Sequence, residues 1–223
     1  MSLRVLDYEA FNTAALVADP FEYLIVPNFV CAEAREQIHR DFPRIANPGS
    51  FPLGALTYGP SFRDLIRAVR SSDFCGTIEQ KFDVELAQLV PAITVRGQCS
   101  AADGKIHTDS KRKLLSALIY LTPSWQAVGG RMRLLRSNNN LDDIIAEVRP
   151  TDGTLLIFRR SDNSWHGFQP FEGERRVLQV NWYVSNINQR VEMARHYVSA
   201  YFKKITQGST SARVRSSSYD TAE

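Results

Sequence analysis

The sequence predicts an α+β fold that is mainly β, in which N-terminal helices precede a sandwich or jelly roll of antiparallel strands. Two observations support this prediction. Segments with helical spacing of apolar residues lie mostly before Pro91, and short runs rich in β-branched and aromatic residues dominate after it. These runs are separated by Gly, Pro, Asn and Asp rather than by helices, which a parallel sheet would need as crossovers.

The N-terminal part is predicted to contain one strand and three helices. The run FEYLIVPNFV is β-rich and stops at a Pro-Asn pair, as strands do. In CAEAREQIHRDFPRI the residues Ala34, Ile38 and Phe42 have helical spacing before a proline. Helices are also expected near 61–68 and 73–82. The segment ANPGSFPLGALTYGP between the first two helices is expected to be a loop, and it is a candidate lid over a functional site.

The C-terminal part is predicted to be a series of strands. They are AITVRGQCS, LLSALIYLTPSW, RMRLLR, AEVRP, GTLLIF and RRVLQVNWYV, with a polar surface loop at SNNNLDDI. A closing helix is expected from about Gln189 to Lys204. Residues 1–204 are therefore expected to form a single domain, whereas residues 205–223, rich in Ser and Thr and poor in large apolar residues, are expected to be a disordered tail.

The composition is that of an ordinary globular protein. Apolar residues make up 43% and charged residues 23% of the 223 residues, which argues against the disordered and membrane classes. The chain has no apolar stretch long enough to cross a bilayer, and its N-terminal segment lacks the hydrophobic core of a signal peptide. We therefore expect a cytoplasmic protein without a membrane partner.

Charge and cysteine content exclude two further classes. The net charge is +3, and the segment from Lys203 onward contributes two of these charges, so the body of the protein is nearly neutral and shows no nucleic-acid-binding signature. The three cysteines have no C-x-x-C spacing, which argues against a disulfide framework and a structural zinc site.

The chemistry is indicated by residues 103–121, DGKIHTDSKRKLLSALIYL, where His107 and Asp109 precede an apolar run. In extended backbone, side chains two residues apart point the same way, so this pair can converge on one point. An imidazole and a carboxylate are two of the three ligands in a 2-His-1-carboxylate site for non-haem iron. Of the four histidines, His166 suits the third position best, because it follows the strand GTLLIF and lies between Trp165 and Gly167.

A basic residue is predicted inside the same fold. In RRVLQVNWY the residues alternate between two faces, and Arg176 shares its face with Leu178, Val180 and Trp182. This face is more apolar than the one with Arg175, so it is expected to point into the barrel, where a guanidinium needs an anion. A carboxylate bound through two hydrogen bonds is the best partner. A one-residue bulge would place Arg175 inside instead.

These residues resemble the 2-oxoglutarate- and Fe(II)-dependent dioxygenases, and most closely their prolyl 4-hydroxylase-like branch. The family motif, H-x-D followed by a distant His and then a basic residue, is present as His107-Thr108-Asp109, His166 and Arg176. The segments IYLTPSW, GGRMRLL, VRPTDGTLLIF and SWHGFQP are similar to that branch and occur in the same order. The resemblance covers roughly residues 94–184.

The resemblance implies a double-stranded β-helix, which is a jelly roll, with the N-terminal helices packed against one of its sheets. It implies that His107, Asp109 and His166 hold Fe(II) and act as the catalytic centre. The co-substrates would be 2-oxoglutarate and O2, with ascorbate as a further candidate cofactor. The implied reaction hydroxylates a C–H bond of an unidentified substrate and releases succinate and CO2.

The resemblance also implies a site for the far carboxylate of 2-oxoglutarate. Arg176, or Arg175 if the strand is bulged, would bind that carboxylate together with Tyr120. Tyr120 lies in the segment IYL, where related prolyl hydroxylases place a tyrosine, and it has the same strand parity as Ser116 and Leu118.

The substrate class stays open between a small molecule and a peptide. The strand ITVRGQCS lacks the tyrosine that many prolyl hydroxylases carry there, and Arg96 or Gln98 could replace it, which disfavours a prolyl substrate. The main alternative function is a non-catalytic jelly-roll domain that binds an anionic or carbohydrate ligand. A cupin-like metal hydrolase or isomerase is disfavoured by the spacing of the basic residue. Nothing in the sequence indicates the oligomeric state.

Overall fold

The computed structural model describes residues 4–199, and it confirms a mainly β fold with helices in the N-terminal part. These helices are α1 (Tyr8–Thr13), α2 (Ala32–Asp41), α3 (Pro60–Val69) and α4 (Ser72–Phe82), with a 3-10 turn at Leu53–Ala55. The strands are β1 (Tyr23–Val26), β2 (Phe51–Pro52), β3 (Ala92–Cys99), β4 (Lys113–Tyr120), β5 (Met132–Leu135), β6 (Ile144–Val148), β7 (Leu155–Arg159), β8 (Trp165–Gly167) and β9 (Gly173–Tyr183). Residues 186–199 form a last helix, and the predicted domain end at Lys204 and the predicted tail lie outside the described residues.

Local signals explain why the longer elements form as predicted. Helix α3 begins with Pro60, whose missing N–H costs nothing in a first turn, and its buried residues recur at helical spacing. Helix α4 is capped by the Ser71 hydroxyl, which accepts a hydrogen bond from the amide of Phe74. The sequence prediction missed α1, β2 and β8, because each is too short to show a period. Within residues 4–199, no helix combines the length and the apolar character needed to cross a membrane.

The strands form the two sheets of a jelly roll. The larger sheet has the order β1-β7-β4-β9-β3-β2, and the smaller one has the order β6-β5-β8. All strand pairs in both sheets are antiparallel. Strands β4 and β9, which are far apart in the chain, are neighbours at the centre of the larger sheet, so residues from distant segments meet there.

The larger sheet is buried on both faces. One face packs against the N-terminal helices and includes Leu178, Val180 and Trp182 of β9. The other face packs against the smaller sheet and includes Tyr120 and Val177. An apolar face of β9 is therefore not a sign of the barrel interior, because the helices also need an apolar surface to pack against.

The prediction that Arg176 points into the barrel is wrong for this reason. Arg176 lies on the helix side, where its Nη1 donates a hydrogen bond to the carbonyl oxygen of His39 at 2.9 Å. Its guanidinium also lies over the ring of Phe42 at 5.0 Å and pairs with Glu174 at 2.7 Å. Arg175, only 2% exposed, points into the barrel instead.

A bulge is present at these arginines, but it does not explain why Arg175 rather than Arg176 points into the barrel. Between Glu174 and Val177 the strand β9 has one residue more than its partner β3. Beyond the bulge, however, Gln179 and Asn181 still line the barrel cavity, with the same parity as Arg175. The sequence prediction erred in choosing the inner face, and not in counting residues along the strand.

Candidate metal centre

A pair of backbone hydrogen bonds brings the two predicted histidine ligands together. The amide of His107 donates to the carbonyl oxygen of His166, and the amide of His166 donates to that of His107, both at 3.0 Å. The centroids of the imidazole rings are 4.4 Å apart. With Asp109, the three residues offer ligand atoms that all lie within 4.8 Å of one another. The structure therefore assembles the predicted set of ligands at one point.

Both imidazoles are oriented by backbone carbonyls. The Nδ1 of His107 lies 2.8 Å from the carbonyl oxygen of Lys105, and the Nδ1 of His166 lies 3.0 Å from that of Ser164. A carbonyl only accepts hydrogen bonds, so each Nδ1 carries a proton, and Nε2 is the ring nitrogen left to bind a metal. Burial lowers the pKa of His166 to about 4, so this imidazole is neutral at pH 7, as metal binding requires.

The carboxylate of Asp109 has a donor on each oxygen. Its Oδ1 accepts from the Nζ of Lys113 at 2.9 Å, and its Oδ2 accepts from the Oγ of Ser116 at 2.5 Å. Burial raises the pKa of Asp109, but the charges around it, chiefly the Lys113 ammonium, outweigh burial and hold the pKa well below its usual value. The third potential ligand is therefore ionised and held in one orientation.

Replacing Ser116 by alanine is expected to weaken Mn(II) binding by roughly 10- to 100-fold, as the loss of a residue supporting a metal ligand usually does. The reason is that Oδ2 of Asp109 would lose its donor, and only the contact of Lys113 with Oδ1 would then orient the carboxylate. Isothermal titration with Mn(II) measures the effect. Ser110→Ala is the matched control, because the exposed Ser110 hydroxyl accepts from the amide of Arg112 and not from a metal ligand. Equal affinities of the two variants would contradict the supporting role of Ser116.

The cavity that contains the three potential ligands has a volume of about 400 Å³ and extends to Arg175. The Nε of Arg175 donates to the carbonyl oxygen of Gly130 at 2.8 Å, and its guanidinium lies 5.4 Å from the ring centroid of Tyr120 and 4.5 Å from that of Phe168. Tyr120 belongs to the cluster on the barrel side of the sheet, as its predicted parity with Leu118 requires.

Two buried hydrogen-bond donors, one on Arg175 and one on Tyr120, lack partners. Within residues 4–199, neither the Nη2 of Arg175 nor the Oη of Tyr120 has a hydrogen-bond partner. Burial raises the pKa of Tyr120 to about 12, so its hydroxyl keeps its proton and can donate. Unsatisfied buried donors are costly, and a carboxylate would satisfy both of these. Arg175 and Tyr120 therefore fit the far carboxylate of a dicarboxylate such as 2-oxoglutarate.

Sequence reasoning did not identify three other polar residues of the cavity. They are Gln179 and Asn181, which share the face of β9 that carries Arg175, and Lys113, which donates to the Asp109 carboxylate. The polar side of β9 was itself a usable signal, because hydrophilic residues of a strand buried on both faces collect where a ligand is held.

Comparison with known proteins shows which family shares these features. Residues 98–184 match the model of the 2OG-Fe(II) oxygenase superfamily. This range includes His107, Asp109, His166 and Arg175. A search of curated protein sequences found no match.

Solved structures described as prolyl hydroxylases or as a 2OG-Fe(II) oxygenase have a fold similar to that of this chain. A prolyl-4-hydroxylase from Pseudomonas putida matches with a TM-score of 0.50 and 19% identity, covering 72% of this chain and 91% of that one. A 2OG-Fe(II) oxygenase family oxidoreductase from Burkholderia pseudomallei matches with a TM-score of 0.51 and 14% identity, covering 74% of this chain and 85% of that one. The viral collagen prolyl hydroxylase of Paramecium bursaria Chlorella virus-1 matches with a TM-score of 0.51 and 15% identity, covering 76% of this chain and 99% of that one. At these identities the similarity establishes the jelly-roll fold.

Proposed function

We propose that this chain is a 2-oxoglutarate- and Fe(II)-dependent oxygenase, a function supported by the match of residues 98–184 to the model of that superfamily. It would hydroxylate a C–H bond of its substrate while 2-oxoglutarate is converted to succinate and CO2. One observation carries the proposal. A cluster of two imidazoles and one carboxylate shares its cavity with a buried arginine that has an unsatisfied donor. A structural metal site would need the cluster of ligands but not the buried arginine.

The chemistry that Fe(II) supplies when bound is the reduction of O2 coupled to the oxidative decarboxylation of 2-oxoglutarate. One oxygen atom of O2 enters succinate and the other enters the hydroxylated product, so the reaction is balanced without a further reductant. His107 and His166 would each bind the metal through Nε2, and Asp109 would bind it through a carboxylate oxygen. This set carries one negative charge, so the metal keeps a net positive charge that attracts the anionic co-substrate.

The remaining residues of the cavity would orient the co-substrate and exclude water. Arg175 and Tyr120 would bind its far carboxylate, since both have donors without partners. Leu118, Phe158 and Phe168 contribute apolar walls, and the ring of Phe158 lies 4.8 Å from that of His166. Apolar walls limit the access of water to the reacting groups, which prevents unproductive oxidation. The substrate is proposed to be a small molecule or a residue of a peptide.

A thermal-shift measurement and a succinate assay test this function. Mn(II) and 2-oxoglutarate together should raise the melting temperature more than either alone, because a ligand at 100 times its Kd stabilises by about 2.7 kcal/mol. With Fe(II) and O2, the protein should convert 2-oxoglutarate to succinate. A non-catalytic jelly-roll domain would show neither the metal-dependent stabilisation nor succinate formation, and that pair of results would refute the proposal.

A further inference from the structure

Two amide side chains on the barrel face of β9 have no part in the proposed chemistry. Asn181 is 6% exposed and lines the cavity, yet within residues 4–199 its side chain makes no hydrogen bond. Gln179 uses only its Oε1, which accepts from the Oγ1 of Thr94 at 3.0 Å and from the Oγ of Ser50 at 3.5 Å. The unused donors of these amides face the cavity, so a polar ligand there can bind them.

The strand register places these amides beside the potential metal ligands. Asn181 is paired with Ser116, the residue that donates to Asp109. Gln179 is paired with Leu118 on one side and with Thr94 on the other. Both amides therefore lie nearer to the metal ligands along β9 than Arg175 does, so they face the part of the cavity that the far carboxylate of the co-substrate leaves free.

Arg96 of β3 completes this wall of the cavity. Its Nη1 donates to the Oδ2 of Asp103 at 2.8 Å, and its side chain is 17% exposed. Its Nε and Nη2 make no hydrogen bond with residues 4–199, and they remain available to a ligand in the cavity. We call Arg96, Gln179 and Asn181 the donor wall.

Donors outnumber free acceptors in this region. The Asp103 carboxylate is occupied by Arg96 and by the amide of Ser100, and the Asp109 carboxylate is reserved for the metal. The side-chain acceptor left over in the donor wall is the Oδ1 of Asn181, whereas Arg96, Gln179 and Asn181 all offer N–H groups. The partner that suits such a wall is a group with acceptors only, such as a carboxylate.

The charge of the cavity favours the same kind of ligand. Four basic and two acidic side chains line it: Arg96, Lys105, Lys113, Arg175, Asp103 and Asp109. A divalent metal and a doubly charged co-substrate cancel each other, so the positive excess persists in the loaded site. An anionic substrate is attracted by this excess, and a cationic one is repelled.

We propose that the substrate is a small carboxylate-bearing molecule, bound through its carboxylate by Arg96 and Gln179. Asn181 then holds a polar group of the substrate beside the metal, so that a neighbouring C–H bond can react. This inference rests on the proposed function and deepens it. The cavity of about 400 Å³ is of the size that small-molecule sites have.

Simple fragments test the inference without knowledge of the full substrate. The protein is loaded with Mn(II) and N-oxalylglycine, an analogue that occupies the co-substrate site, and propionate and propionamide are compared. The paramagnetic metal should relax the methyl protons of bound propionate, whose binding should be about tenfold tighter than that of propionamide because its hydrogen bonds are charge-assisted. Equal relaxation of the two fragments, including none for either, would overturn the inference.

Variants connect the effect to the donor wall. Arg96→Met and Gln179→Met should each reduce the relaxation of propionate to the level of propionamide, because each removes a donor to the carboxylate. Arg63→Met removes the same charge from an exposed position on α3 and should retain the preference. Persistence of the preference in Arg96→Met and Gln179→Met would also overturn the inference. If Arg96→Met does not fold, Gln179→Met decides alone.

The proposed function is tested separately in the same samples. Stabilisation by Mn(II) with 2-oxoglutarate should be present in the wild type and in both donor-wall variants, because the metal ligands and Arg175 are unchanged. Its absence in the wild type would defeat the proposed function. Its presence together with equal relaxation of the two fragments would defeat the carboxylate-bearing substrate alone.

Discussion

Replacing Asp109 by alanine is expected to abolish succinate formation and to reduce Mn(II) affinity by more than the roughly 100-fold that loss of a supporting residue costs. Asp109 is the carboxylate of the cluster, and without it the cluster has no negative charge to offset that of the metal. The Lys113 ammonium, now without its partner, would also repel the cation. Isothermal titration with Mn(II) and the succinate assay measure the two effects.

The control for this variant is Asp64→Ala, which removes a carboxylate from the exposed surface of α3. It should bind Mn(II) and form succinate as the wild type does. Melting of both variants without metal shows whether the fold is intact. Metal-dependent stabilisation that survives in Asp109→Ala would rule out Asp109 as a ligand.

The second large effect is expected for Arg175→Met, which should raise the Kd of 2-oxoglutarate by roughly 10- to 100-fold, the range for a lost hydrogen bond to a charged group. The reason is that its guanidinium has an unsatisfied Nη2 at the end of the cavity. Titration of the Mn(II)-loaded protein with 2-oxoglutarate gives the value. Binding of Mn(II) itself should not change, because Arg175 is not part of the ligand cluster.

Arg176→Met provides a matched control, because it removes the same side chain from the next residue on the opposite face. It should leave the affinity for 2-oxoglutarate unchanged and should destabilise the fold through the loss of its contacts with His39, Phe42 and Glu174. If Arg176→Met weakened 2-oxoglutarate binding and Arg175→Met did not, the assignment of the inner face of β9 would be wrong.

The grouping of the metal ligands could be predicted because it depends on local geometry. His107 and Asp109 are two residues apart in extended backbone, so their side chains point the same way in any fold that keeps this segment extended. His166 could be chosen because it follows a strongly apolar strand and is one of few histidines. The mainly β character followed from the short β-branched runs. The order of N-terminal helices and later strands followed from the spacing of apolar residues, which is helical before Pro91 and strand-like after it.

The inner face of β9 could not be read from the sequence, because both faces of that strand are covered. Leu178, Val180 and Trp182 are apolar because they pack against the helices, whereas Gln179 and Asn181 are polar because they line the cavity. Alternation separates the two faces of a strand but does not say which layer covers each of them. Only the packing of the helices and the smaller sheet on opposite sides of the larger one decided that Arg175, rather than Arg176, lies in the cavity.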